Sequence, residues 1–232
     1  MKIALLPLIY SKWYFMQYNG DEIVGVYGLQ GIAKSYTQDL KQSCKKIVLD
    51  GITSKLEQKF PNGFVNPVVI SRIIKDNNLE LPKDIKDTHI QDSVDALNAG
   101  VEAIAEGIGN IFKKIKGEKV EKKGEIIPVF DRDTAKTLYN ESKADKAFVI
   151  FVRKYSYSVK DVGARCELYG VIYDLPSCSV FRSSKISKEY GPGYFAAGPL
   201  GQIGIPKNIN EILKVVEKCG NSAIDSLYSS LF

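Results

Sequence analysis

Between residues 90 and 115 the chain reads IQDSVDALNAGVEAIAEGIGNIFKKI, and Ile90, Val94, Leu97, Val101, Ile104, Ile108, Ile111 and Ile115 recur at alternating gaps of four and three. That spacing places an apolar stripe on one face of an α-helix. Thr88 with Gln91 has the form of a capping box at its start, and lysines followed by Gly117 close it. The opposite face carries Ala96, Ala99, Gly100, Ala103, Ala105, Gly107 and Gly109. Glycine costs up to about 1 kcal/mol in a helix interior, so this face calls for close approach of another helix or sheet. Three destinations are open to the stripe: the chain's own sheet, a second copy, or a membrane surface.

Elsewhere the period shortens to that of strands. Residues 2–9 are apolar after Lys2, with Pro7 placed to end or bend a strand. The run WYFMQYNGDEIVGVYG sets two β-prone stretches about Asn19-Gly20, which predicts a tight hairpin loaded with Trp13, Tyr14, Phe15, Tyr18 and Tyr27. From residue 36, Leu40, Cys44, Ile47, Val48, Gly51, Ile52 and Leu56 mark a helix that stops before Pro61-Asn62-Gly63. Residues 64–71 read as a strand broken at Pro67, near a sheet edge. A polar connector over 77–87 precedes the long helix, and a charged linker over 119–125 follows it.

The second half predicts a helix over 131–143 capped by Asp131 or Asp133, then a strand over 147–159. Over 165–173, Cys166, Leu168, Gly170 and Ile172 alternate against Arg165, Glu167, Tyr169, Val171 and Tyr173. The turn Asp174-Leu175-Pro176-Ser177 leads into a strand over 180–187, forming an antiparallel pair. A loop over 190–206 holds five glycines and three prolines, and a helix over 209–231 ends the sequence. There is no internal repeat.

Composition narrows the function classes. A chain of 232 residues with 44% hydrophobic content can bury roughly 70% of its extended surface. Its 32 basic and 27 acidic residues give +5, a mild and scattered excess that does not call for nucleic acid. The densest basic run, KKIKGEKVEKK, contains Lys113, Lys114 and Lys116, which suit a solvated helix end or contact with an anionic surface. No apolar run is long enough to span a bilayer as a helix. The opening MKIALLPLIY lacks the features of a leader and reads as a first strand. The expected location is therefore the cytoplasm, unless a leader precedes this sequence.

The four cysteines include no C-x-x-C pair and histidine occurs once, so neither metal nor cofactor is expected. Cys44 and Cys219 fall on apolar helix faces as buried thiols, while Cys166 and Cys178 flank a turn with their bonding left open. No constellation reaches the level of a catalytic motif. His89 sits at a helix cap, and Asp131 and Asp133 sit at a helix start that stabilises carboxylates. The loop YGPGYFAAGPLGQIGIP lacks the context, spacing and lysine of a P-loop, and its Tyr190, Tyr194 and Phe195 suit an interface.

The order of elements gives an α/β domain with a mixed sheet. Three stretches carry a family resemblance: KIALLPL at the start, LYNESKADKAFVIFVRKYSY with its Ala144-Asp145 pair, and ARCELYGVIYDLPSCSVFRSS with a strand ending in Tyr-Asp. Together they resemble bacterial envelope lipoproteins with a domain like the amino-terminal domain of TolB, of the curli-secretion pore and penicillin-binding-protein activator types. The aromatic hairpin, the long helix and the glycine loop fall outside the resemblance, and the chain has no lipid-bearing cysteine after a leader. The resemblance implies no enzymatic activity and a place in the periplasmic cell envelope, as scaffold, activator or ring.

The expectation is a single α/β (α+β) domain over 1–232, TolB amino-terminal-like, with insertions at about 11–30, 87–125 and 190–206. Its function is structural, in a bacterial envelope assembly, as a homo-oligomer or part of a larger complex. The contact residues are Val94, Leu97, Val101, Ile104, Ile108 and Ile111 on the helix, Trp13, Tyr14 and Phe15 on the hairpin, and Tyr194 and Phe195 on the loop. Two other readings stay open. One is a small-molecule-binding or hydrolytic protein using the 190–206 loop with Asp174 or Glu189, although no small-molecule substrate is identified. The other is a peripheral membrane-surface protein held by the long helix and its lysines.

Overall fold

The structure is a computed structural model that describes residues 1–10, 30–83, 128, 130–158, 163–191 and 209–232. The predicted aromatic hairpin, the 90–115 helix and nearly all of the glycine loop lie outside them. Residues 1–80 and 130–232 form one compact unit, and 81–129 belong to a second, of which 81–83 and 128 are described.

Within the first unit the elements run β1 (Ile3–Leu5), β2 (Ile9–Tyr10), α1 (Gln30–Lys59), β3 (Phe64–Val65), α2 (Pro67–Asp76), α3 (Arg132–Ser142), β4 (Lys146–Ser158), β5 (Gly163–Asp174), β6 (Ser179–Tyr190) and α4 (Ile209–Leu231). The fold is α+β, a mixed six-stranded sheet with helices packed on it. The strand order is β3-β1-β4-β5-β6, with β2 also on β4. β1 runs parallel to β3 and β4, whereas β4, β5 and β6 form an antiparallel meander. Pro7 acts as its fixed φ and missing N–H require: β1 stops at Leu5 and pairing with β4 resumes at Ile9.

Two register shifts decide which side chains meet. In β4 the pairing slips between Val152 and Lys154, so Arg153 has no opposite residue. Before the slip Phe148, Ile150 and Val152 enter the main core; beyond it Tyr155 and Tyr157 do. Period-two alternation carried straight through would have sent both tyrosines to the other face. In β6 a second slip leaves Phe181 as the extra residue near the hairpin turn. The alternation read from β5 holds, with Cys166, Leu168 and Ile172 in the main core.

That core lies between the sheet and two helices. α1 contributes Cys44, Val48, Ile52 and Leu56 at steps of four, and α4 contributes a stripe including Val216, Cys219, Ala223, Ile224 and Leu227, all buried. Each large aliphatic or aromatic side chain buried here contributes about 1.5–3 kcal/mol. Two glycines bring the layers together. A Cβ at Gly51 would come within 2.9 Å of Ile224, and one at Gly220 within 2.9 Å of Ile47 while overlapping the Tyr155 hydroxyl. The absent side chain of Gly220 leaves the room in which Tyr155 donates its O–H to the Val216 carbonyl at 2.7 Å. Gly170 serves similarly in β5, where a Cβ would meet Leu231, Leu227 and Phe148 at 2.8–3.1 Å.

The predicted 64–71 strand is not what forms. Two residues pair as β3, and then Asn66 caps α2 by accepting from the Val68 N–H at 2.9 Å. Pro67 follows at the first helical position, where its missing N–H has no helical partner to lose. Its apolar run therefore winds into a helix that buries Pro67 and Ile70 and leaves Val68 70% exposed. α3 matches expectation, with Asp131 as the cap, and ends on Lys143 in the left-handed region at φ 54°.

The Gly220 contact yields a prediction of sign. Helix propensity alone makes Gly220→Ala stabilising by up to about 1 kcal/mol; the overlap with Tyr155 makes it destabilising by about 1–3 kcal/mol. Urea unfolding decides, and in the Tyr155→Phe background the cost of Gly220→Ala is expected to fall by about 1 kcal/mol.

Candidate interaction surface

Of the residues expected to contact partners, Val94, Leu97, Val101, Ile104, Ile108, Ile111, Trp13, Tyr14, Phe15, Tyr194 and Phe195 lie outside the described residues, as do Lys113, Lys114, Lys116 and His89. What the structure defines is the meander, its turn and its outer edge.

The carboxylates at the strand ends are engaged in holding these elements together. Asp145 accepts from the Lys2 N–H at 2.7 Å through its side chain, while its own N–H donates to the Lys2 carbonyl at 2.8 Å. Its carbonyl takes the Leu175 N–H at 2.9 Å, which joins β1, β4 and the β5–β6 turn at one residue. Asp174 pairs with the Lys146 ammonium and accepts from the Ser177 hydroxyl and, at 3.0 Å, the Ser177 N–H. The Lys146 and Ser177 hydrogen bonds hold the Asp174 carboxyl down at about 2. Asp131, capping α3 through the Thr134 N–H at 2.8 Å, is lowered by that bond as well. The Ala144-Asp145 pair and the Tyr-Asp strand end, which carry the family resemblance, are thus fastenings of the sheet.

The hydrolytic reading placed Asp174 or Glu189 beside the glycine loop. Asp174 stands opposite Ser179 and Glu189 opposite Arg165, so the two lie at opposite ends of the hairpin, roughly 30 Å apart at 3.4 Å per residue. The loop begins after Tyr190, at the Glu189 end, and Glu189 is itself paired with Arg165. These two carboxylates cannot share a site.

The thiols are free, and Cys166 and Cys178 do not bridge the hairpin. Cys166 faces the core in mid-strand, whereas Cys178 lies in the turn and donates to the Phe130 carbonyl at 3.2 Å. Cys44, Cys166 and Cys219 are buried near Tyr155, and burial raises all three, Cys219 to about 11. They are protonated at neutral pH and poor nucleophiles. Among the described residues no three His, Cys, Asp or Glu side chains stand where they could hold a metal, and no helix is long and apolar enough to cross a membrane.

On the sheet face away from α1 and α4, Phe151, Tyr169 and Lys185 form one cross-strand row, with the two rings 5.9 Å apart. Arg153, at the bulge, is buried with its guanidinium 4.3 Å from the Tyr169 ring centre. Next to it Glu167 reaches Lys185 at 3.4 Å. Burial falls away across this face, from closed on Phe151 of β4 and on Tyr169, Val171 and Tyr173 of β5 to open on β6. Sequence reading left the β6 edge unassigned. Its signal is the run SVFRSSKISKEY, polar on both faces in a meander otherwise rich in apolar residues, which is how an edge strand reads.

β6 ends the sheet, and among the described residues no strand pairs its outer side. Phe181 is 51% exposed, with Lys146 4.4 Å above its ring, and Tyr190 at the other end is 38% exposed with Lys218 5.5 Å from its ring. Arg182 lies between, donating to the Leu231 carbonyl at 3.0 Å.

No family model matches the chain, and no curated protein matches it. Matching solved structures include the lipoprotein GNA1162 of Neisseria meningitidis, 11% identical over 99% of each chain with a TM-score of 0.36. The hypothetical protein CT253 of Chlamydia trachomatis is 10% identical over 98% of this chain and 96% of its own, at 0.37. Protein XCC0632 of Xanthomonas campestris, of family DUF330, is 12% identical over 41% of this chain and 55% of its own, at 0.27. Likenesses of this degree assign neither family nor activity, and the TolB-type resemblance rests on the sequence motifs.

The Asp174 pair predicts an acid limb. Its carboxyl is lower folded than the roughly 3.9 of an unfolded aspartate, so its stabilisation is complete above that value and is lost as pH falls towards 2. Asp174→Asn is expected to lower stability at neutral pH and to flatten its decline between about pH 5 and 2. Urea midpoints measured across that range check both.

Proposed function

We propose that this chain is a non-enzymatic structural protein of a bacterial envelope assembly, with a TolB amino-terminal-like body carrying three insertions. The observation that supports this best is the employment of its strand-end carboxylates. Asp145, Asp174 and Asp131 are taken up in fastening strands and capping a helix, and Glu189 in a surface pair. What the described body offers outward is a long strand edge with exposed aromatic residues, a surface suited to contact. Self-association through Val94, Leu97, Val101, Ile104, Ile108 and Ile111, helped by the aromatic segments, belongs to the same reading, as does a place in the envelope. Lys113, Lys114 and Lys116 would lie beside an anionic surface if the assembly sits on a membrane.

Size-exclusion chromatography with light scattering tests the self-association. A mass that is a multiple of 25.8 kDa is expected for the native chain at tens of micromolar. Val101→Asp combined with Ile104→Asp is expected to return it to one copy with its circular dichroism retained. A native chain that is monomeric throughout contradicts the reading.

A further inference from the structure

We propose that the outer edge of β6 docks an extended acidic segment of a partner protein, which adds to the sheet as its next strand. The inference rests on the assembly reading for the expectation of a partner, and names that partner's chemistry.

The edge offers length first. β6 has twelve residues, about 40 Å of strand, and every second residue of an outermost strand turns its N–H and C=O away from the sheet. Its side chains are open over most of this length. Such an edge is a template for main-chain pairing.

Charge selects what can use it. Arg182, Lys185 and Lys188 recur at steps of three, so they alternate between the helix-covered side and the opposite side. Their neighbours across the ladder on β5 are Ile172, Tyr169 and Cys166, none carrying charge at neutral pH. Glu167 reaches Lys185 along a diagonal, and Glu189 is taken by Arg165. The edge is therefore net basic. A second β6 laid against it brings basic residues to basic residues, which disfavours pairing between copies. A strand with carboxylates at every third position places each one beside a cation, on alternating faces. Phe181 and Tyr190 bracket the run as aromatic contacts at either end.

The test uses the full chain and three fluorescein-labelled peptides as long as β6. The first alternates Thr and Val with Glu at every third position, the second carries Lys at those positions, and the third keeps the Glu residues but has Pro in place of alternate Thr and Val. Fluorescence anisotropy at about 0.15 M salt, where exposed charges are largely screened beyond roughly 8 Å, is expected to show the first binding at least tenfold more tightly than either other. Lys185→Glu with Lys188→Glu, checked by circular dichroism, is expected to invert the order of the first two. Failure of the first peptide to bind, or equal binding of the Lys peptide, overturns the proposal even if the double variant does not fold. Equal binding of the Pro peptide reduces the edge to charge attraction and overturns strand addition. An order unchanged in a folded double variant overturns the charge argument, and vesicles of phosphatidylglycerol displacing the Glu peptide would assign the edge to a membrane surface instead. Light scattering on the same sample reads self-association separately, so loss of this docking site and loss of the assembly reading give different results.

Discussion

Everything in the described body depends on β4 being paired along both edges from Lys146 to Val152. It takes β1 and β2 in parallel on one side and the whole of β5 antiparallel on the other. A strand so placed can leave few backbone groups unsatisfied only if both neighbours hold register, since a slip of one residue exchanges the two faces. The fastenings at its start serve that need. Asp145 binds both the N–H at Lys2 and the turn at Leu175, while Lys146 holds Asp174. Register is thus pinned where three strands and a turn converge, and α1 and α4 close over the face so defined.

The same constraint explains the uneven surface. Polar groups near β4 are either spent on geometry or sheltered among aromatic rings, as Arg153 is on Tyr169. The thiols around Tyr155 are buried, raised and unreactive. With catalytic candidates committed in this way, the place where the described chain meets the outside on different terms is β6. There the ladder ends, the side chains turn polar on both faces and positive charge gathers. Edge lysines in general guard a sheet against its own kind, and the same lysines favour a strand of opposite sign.

Much of the architecture was legible in the residues. The final helix falls where its stripe predicts, Asp131 caps the helix after it, and the β5 alternation sorts core from outer residues correctly. What escaped did so for local reasons. The 64–71 run has strand-like composition, but Asn66-Pro67 is also a helix start, and capping prevailed over β-propensity. The bulge at Arg153 leaves no mark in the hydrophobic pattern, because Tyr155 and Tyr157 are as suited to one face as to the other. Gly220 reads as a weak point in a helix until the Tyr155 hydroxyl is seen in its place. Candidate contact residues came from the densest apolar and aromatic segments, which lie outside the described residues. The basic edge carries no periodic apolar signal, because its run SVFRSSKISKEY is mostly polar.

An open β6 and a closed β4 flank β5, and amide hydrogen exchange of the full chain in the absence of any partner reads that contrast residue by residue. Amides of β4 from Lys146 to Val152 and the inner amides of β5 should exchange only on global unfolding, and alternate amides along β6 should exchange faster by orders of magnitude. Uniform protection along β6, equal to that of β4, would mean that the edge is already covered and would contradict the account.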